Sequence, residues 1–238
     1  MIKLMEACLL GILILMLGLC SAATFEFGSK VEVGDSDIGR LLYNCCPSVG
    51  FWDTQINPGV YDQSDVVYLH MNPADSVVDA NDVRLSSYNT LPAGSKVTSA
   101  DNDINKPLTP LPGAKIVFLQ MNGDPGYSLD DAVYLHINGL TSSTQPNDIR
   151  LTKVSGMAAG TKVINLHPDN NMPINPLLGF PVPPGGPIAT IRFFNANGNY
   201  NAADVPVFDF PDVLYLDVSI PGTVAYGSVS VNDVRLSL

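Results

Sequence analysis

The chain has 238 residues, 46% of them hydrophobic, and 23 acidic side chains against 12 basic ones give a net charge of −11. Such an acidic excess argues against nucleic acid as a partner, because phosphate backbones are held by clustered Lys and Arg. Beyond residue 23 the only Glu residues are Glu26 and Glu32, and Asp, Gly and Pro punctuate short runs of Val, Ile, Thr and Tyr; this composition disfavours helix interiors and reads as all-β.

Residues 1–23 read as a secretory signal, with Lys3 near the start, an apolar run from Ala7 to Leu19, and Ser21-Ala22-Ala23 before Thr24. The run is short of the roughly 20 apolar residues that span a bilayer. An extracellular or cell-surface location is therefore expected, without a transmembrane anchor in the processed chain.

From there the sequence repeats. Gly28-Ser29-Lys30-Val31, Gly94-Ser95-Lys96-Val97 and Gly160-Thr161-Lys162-Val163 recur at a spacing of 66. A Tyr-Leu core follows in each block (Asp65 to His70, Asp131 to His136, Asp212 to Asp217), then Asn-Asp-Val/Ile-Arg-Leu from Asn81, Asn147 and Asn232. Blocks of 24–93, 94–159 and 160–238 are expected, the last with a Pro/Gly-rich insertion near 176–187.

Within a block, Val49 to Trp52, Ile116 to Leu119 and Ile188 to Phe194 are apolar runs of strand length. Val66 to Met71 is apolar on both faces, as a central strand requires. In Asp82-Val83-Arg84-Leu85 the apolar and charged residues alternate, which predicts a half-buried strand with Asp82 and Arg84 on its outer face. Asp148/Arg150 and Asp233/Arg235 repeat the pattern; as exposed ion pairs each would contribute about 0 to 1 kcal/mol. Four or so strands per block are too few for a robust separate core, so the expected fold is a β-sandwich-like array of three packed repeats.

The repeat is also cut out of phase. Asn81 to Thr98 reads as a hairpin joining the end of one block to the start of the next. Gly28, Ser29, Lys30 and Val31 then lack the strand that should precede them, and Asn232, Asp233, Val234, Arg235 and Leu236 lack the one that should follow. Unpaired backbone groups seek partners. Either the two ends meet within one molecule, or they act as assembly edges that join one molecule head-to-tail to the next copy.

The vicinal pair Cys45-Cys46 is confined to the first block. In an oxidising compartment these are disulfide candidates, as a local feature or as bridges between chains. The loop from Gln120 to Asp131 places Gln120, Asn122, Asp124, Ser128 and Asp131 at the ligand spacing of calcium loops. Gln120 where Asp is usual, and Pro125 where Gly gives the bend, depart from that pattern and favour a plain turn before a strand. Any calcium affinity would be weak, about 10⁻⁴ to 10⁻³ M, and no other cofactor is expected. His70 and His136 occupy equivalent places, with Asp217 in the third block; they read as repeated packing positions, since equivalents in separate blocks need not converge on a metal. No Gly-x-Ser-x-Gly elbow, His-Glu-x-x-His or phosphate loop is present, and the chain is not expected to be an enzyme.

Two resemblances add to this reading. Val117 to Asn122 together with Asp130 to Tyr134 is similar to the strand E to F passage of immunoglobulin variable domains, which implies a β-sandwich with a Tyr at a corner. The Asp-x-Val-Tyr-Leu and Asn-Asp-Val-Arg-Leu repeats, the vicinal cysteines and the missing anchor resemble the sheath-forming, surface-layer proteins of methanogenic archaea. That resemblance implies a structural subunit whose strands join laterally to other copies of itself, with cross-linking through Cys45 or Cys46 and no catalytic residues. The alternative from the residues alone is a calcium-dependent adhesion or carbohydrate-binding module.

Overall fold

The computed structural model describes residues 25–45, 47–54, 59–72, 74–123, 127–153, 157–177, 188–199, 201, 206–219 and 227–237, and among these every regular element is a β-strand. The signal-like segment, Cys46, Asp124 and most of the Pro/Gly-rich insertion lie outside the described residues. The strands are β1 (Tyr43–Asn44), β2 (Ser48–Trp52), β3 (Val66–His70), β4 (Val83–Arg84), β5 (Thr109–Pro110), β6 (Lys115–Leu119), β7 (Ala132–His136), β8 (Ile149–Arg150), β9 (Asn175–Pro176), β10 (Ile188–Phe194), β11 (Val213–Ser219) and β12 (Val234–Arg235). They form three four-stranded antiparallel sheets, ordered β4-β3-β2-β5, β8-β7-β6-β9 and β1-β10-β11-β12.

The central strands are apolar on both faces because each face meets a different core. Val67 and Leu69 of β3, Val133 and Leu135 of β7, and Leu214 and Leu216 of β11 all enter one cluster common to the three sheets. On the other face Tyr68, Tyr134 and Tyr215 each enter a smaller cluster local to their own sheet. Each buried aliphatic side chain contributes about 1.5–3 kcal/mol, and sharing the larger core lets three short-stranded units do together what none could do alone.

The two-residue strands β4, β8 and β12 are extended by bridges to a following segment: Val83 to Lys96, Ile149 to Lys162, and Lys30 to Val234. In the first case the bonds run Gly94 N to Arg84 O (2.7 Å), Arg84 N to Ser95 O (3.1 Å), Val97 N to Asp82 O (2.8 Å) and Asn81 N to Val97 O (2.9 Å). In the third they run Gly28 N to Arg235 O (2.8 Å), Arg235 N to Ser29 O (3.0 Å), Val31 N to Asp233 O (2.8 Å) and Asn232 N to Val31 O (3.0 Å). The start of the described chain thus supplies the segment that its last strand lacks.

This corrects the expectation that Gly28, Ser29, Lys30, Val31, Asn232, Asp233, Val234, Arg235 and Leu236 are free assembly edges. Their donors and acceptors are spent within the molecule, because the shared core already holds the first and last repeats side by side. The sheets are accordingly out of phase with the 24–93, 94–159 and 160–238 blocks. One sheet unit runs from β2 to β5, a second from β6 to β9, and the third joins β10–β12 to residues 30–44.

The three units meet at Gly28, Gly94 and Gly160, whose φ angles are +75°, +80° and +78°. A Cβ there would overlap Ala159, Phe27 and Ala93 respectively, so glycine is demanded twice over, by a left-handed backbone and by close approach. Gly160→Ala is expected to lower the unfolding free energy by about 2 kcal/mol or more. Urea denaturation of the variant, set beside an Ala substitution at the open Gly198, measures the difference.

Candidate functional site

Among the described residues the largest fully buried side chains are three arginines. Arg84 donates from Nε to Asp103 Oδ2 (2.8 Å) and from Nη2 to Asp103 Oδ1 and Asp101 Oδ2 (both 2.7 Å), while Nη1 reaches Ser95 Oγ (3.0 Å) and the Lys96 carbonyl (3.2 Å). The Tyr68 hydroxyl donates to the same Asp103 Oδ2 at 2.7 Å. Arg235 repeats this with Asp37, Asp35, Ser29 and Tyr215. Arg150 repeats it with Asp169, Thr161 and Tyr134. In that copy His167 stands where the others have Asp35 and Asp101, and Arg150 Nη2 is a buried donor with no hydrogen-bond partner.

Strand alternation had placed Asp82 and Arg84, Asp148 and Arg150, and Asp233 and Arg235 on an exposed face. They do share a face, but it is roofed by the loop after each following segment, and all six are buried. Nor do the members of a pair bond to each other. Asp82 instead accepts the Met71 and Asp79 N–H groups (2.8 and 2.9 Å), and Asp148 and Asp233 hold the corresponding amides. Burial pulls the Arg84 and Arg235 guanidiniums down, and their carboxylates more than restore them, so both stay above the ordinary arginine value. Burial likewise pushes the Tyr68, Tyr134 and Tyr215 hydroxyls up, reinforced by Asp103, Asp169 and Asp37. Sequence reasoning missed those three aspartates; the signal was available, since 37, 103 and 169 keep the 66-residue spacing.

Three lysines clasp the units in a cycle. Lys30 Nζ donates to the carbonyls of Ser128 (2.6 Å), Leu129 (2.9 Å) and Asp131 (2.5 Å) and lies 4.5 Å from the Tyr127 ring centroid. Lys162 does the same to Asp62 (2.8 Å), Gln63 (3.2 Å) and Asp65 (2.6 Å), over Tyr61. Lys96 reaches Phe210 (2.7 Å) and Asp212 beside Phe208. Burial pulls each ammonium down to about 8, opposed by the nearby Asp side chains.

This geometry bears on the calcium-type loop. The carbonyls of Ser128, Leu129 and Asp131 face an ammonium, while the Asp131 carboxylate accepts the N–H groups of Met121 (2.9 Å) and Ser128 (2.8 Å). Asn122 donates to Ser128 Oγ at 3.0 Å. Gln120 is half-buried at the end of β6 and Asp124 lies outside the described residues. Among the described residues no group of three or more His, Cys, Asp or Glu converges to hold a metal ion, and the bonding favours the plain-turn reading. Cys45 is half-buried, with Sγ 3.3 Å from the Ile191 carbonyl. The other disulfide candidate, Cys46, lies outside the described residues.

The histidines differ between copies. His136 Nδ1 lies 2.7 Å from Asp148 Oδ2, and its Nε2 lies 2.9 Å from Thr141 Oγ1. His70 Nδ1 lies 2.9 Å from Asp82 Oδ2, but its Nε2 faces Asp75 Oδ1 at 3.3 Å. In the third copy Asp217 replaces the histidine and sits 3.2 Å from Arg192 Nε. Burial pushes Asp233 up to about 7, its Ser230 and Val218 amides pull it down, and Asp217 raises it further.

No protein-family model, curated protein or solved structure matches the chain. Among the described residues no helix is long and apolar enough to cross a membrane.

Two outcomes follow from the buried charges. Arg84→Met leaves Asp103 buried with Tyr68 as its main partner and is expected to cost about 3–5 kcal/mol in chemical denaturation. The triple change Arg84→Met, Asp103→Leu, Tyr68→Phe is expected to recover much of that loss, because no charge is left stranded. For Asp233, the folded state keeps a proton that the unfolded chain releases above 3.8. Its contribution to stability is therefore complete below pH 3.8 and lost as pH rises through about 7. Asp217→His restores the pairing of the other copies, and melting curves of this variant across that window are expected to be flatter than those of the parent.

Proposed function

We propose that the chain is a secreted structural subunit of a cell-surface sheath or layer, joining copies of itself through exposed loops. The observation that carries this reading is where the repeated polar chemistry goes. The recurring Asp, Arg, Lys and Tyr side chains bond to one another and to backbone groups of the same molecule, which suits a rigid building block. The sheet edges support loop contacts over lateral strand pairing, since β5 and β9 end in Pro110 and Pro176, which lack the N–H a neighbouring strand would need. Large apolar side chains stand out on the loops, with Leu140 97% and Leu166 94% exposed. Exposed aliphatics of this kind are candidate contact points between subunits.

The test is the assembly state of residues 24–238 by light scattering and negative-stain imaging. Ordered multi-subunit particles are expected, and Leu140→Glu with Leu166→Glu should shift them towards monomer. A chain that stays monomeric at every concentration and salt condition overturns the reading. A Cys45→Ser, Cys46→Ser variant that assembles as well as the parent would show that cross-linking is dispensable.

A further inference from the structure

The two histidine copies differ in a way that electrostatics makes consequential. Asp82 Oδ2 lies 2.9 Å from His70 Nδ1 while the same carboxylate accepts two backbone amides, so Nδ1 is the donor and carries hydrogen. In the neutral ring Nε2 is then left with its lone pair, and it is a buried nitrogen without a hydrogen-bond partner. His70 is only 3% exposed, and Nε2 looks at the Asp75 Oδ1 carboxylate oxygen at 3.3 Å. A lone pair and an anionic oxygen at that distance repel unless a proton or a metal cation lies between them; burial pulls the His70 imidazolium down and the Asp82, Asp75 and Asp79 carboxylates more than restore it, so a metal ion bound here takes the place of the Nε2 proton.

The surroundings have room for one. His70 and Asp75 line a cavity of about 220 Å³ together with Ser48, Gly50, Ser76 and Leu108. Asp75 is 38% exposed and gives access from solvent. A nitrogen and an oxygen each about 2.0 Å from a tetrahedral zinc ion stand about 3.3 Å apart, which is the separation found. The carboxylate behind Nδ1 is the usual outer partner of a metal-bound imidazole, fixing the tautomer and strengthening the donor. In the second copy Thr141 supplies a hydroxyl to Nε2 at 2.9 Å, so the same ring is satisfied without a cation.

We infer that His70 Nε2 and Asp75 Oδ1 form a binding site for a divalent cation of the zinc type, completed by water in the adjoining cavity. Two protein ligands make it a weak, exchangeable site, and it is independent of the subunit reading above. The position occupied by Asp75 or Thr141 decides which copy binds.

Zinc chloride is the probe, read by calorimetry and by the imidazole ¹⁵N resonances of the three histidines. One site per chain is expected, with the His70 Nε2 resonance moving and that of His136 unmoved. Asp75→Thr, which copies the second unit and lies at a partly exposed position, is expected to weaken zinc binding at least about tenfold while leaving the circular dichroism spectrum unchanged. Thr141→Asp is expected to create a second site reported by His136. The proposal is overturned if the His70 signal does not respond to millimolar zinc, if Asp75→Thr binds as the parent does, or if Thr141→Asp leaves the His136 signal unresponsive.

Discussion

The pairing of residues 28–31 with 232–236 is the constraint on which the molecule depends. It completes β12, and it also delivers to the third unit the groups that its sequence lacks. Asp35, Asp37 and Ser29, which surround Arg235, all come from the N-terminal segment, and so does Lys30, which clasps the second unit. Without that segment Arg235 would be a buried cation without carboxylates, the costly arrangement of a broken ion pair. Closure is therefore favoured by more than backbone bonds: the hydrophobic core brings the ends together, and the charges make any other register expensive.

The acidic composition takes on a different meaning in this light. Much of the aspartate is inside, not on the surface. Asp65, Asp131 and Asp212 hold amides of the loop before each Tyr strand, Asp82, Asp148 and Asp233 hold amides between the Tyr strand and themselves, and Asp37, Asp103 and Asp169 neutralise the arginines. A carboxylate that accepts two or three N–H groups fixes a turn as tightly as regular secondary structure would. Strands β4, β8 and β12 can then be two residues long, because aspartates and arginines, not long ladders, define where the chain turns. Buried pairs of this kind add little net stability over apolar substitutes, and their value is in specifying a single register.

Against so regular a background the departures stand out. Position 35/101/167 is Asp, Asp, His; position 70/136/217 is His, His, Asp; and Asp75 faces its histidine where Thr141 faces the next. The first two copies hold His70 and His136 at the ends of equivalent five-residue strands, while Asp217 lies inside the longer β11. The departures alter which buried polar atoms are satisfied, as His70 Nε2 and Arg150 Nη2 show.

The sequence by itself determined the all-β class, the repeat and its 66-residue spacing, the central Tyr strands and the alternation of Asp82-Val83-Arg84-Leu85, because these rest on local periodicity and on identity between copies. It also posed the question of the unmatched termini in the right terms. Only the tertiary structure decided that the ends meet within one molecule, that the charged face of each Arg strand is roofed over, and that Lys30 faces the carbonyls of a loop read as calcium-like. The reason is physical: a strand pattern shows which side chains share a face, but whether that face meets water depends on loops folded back from 19 residues along the chain or, for Asp37 and Arg235, from its opposite end.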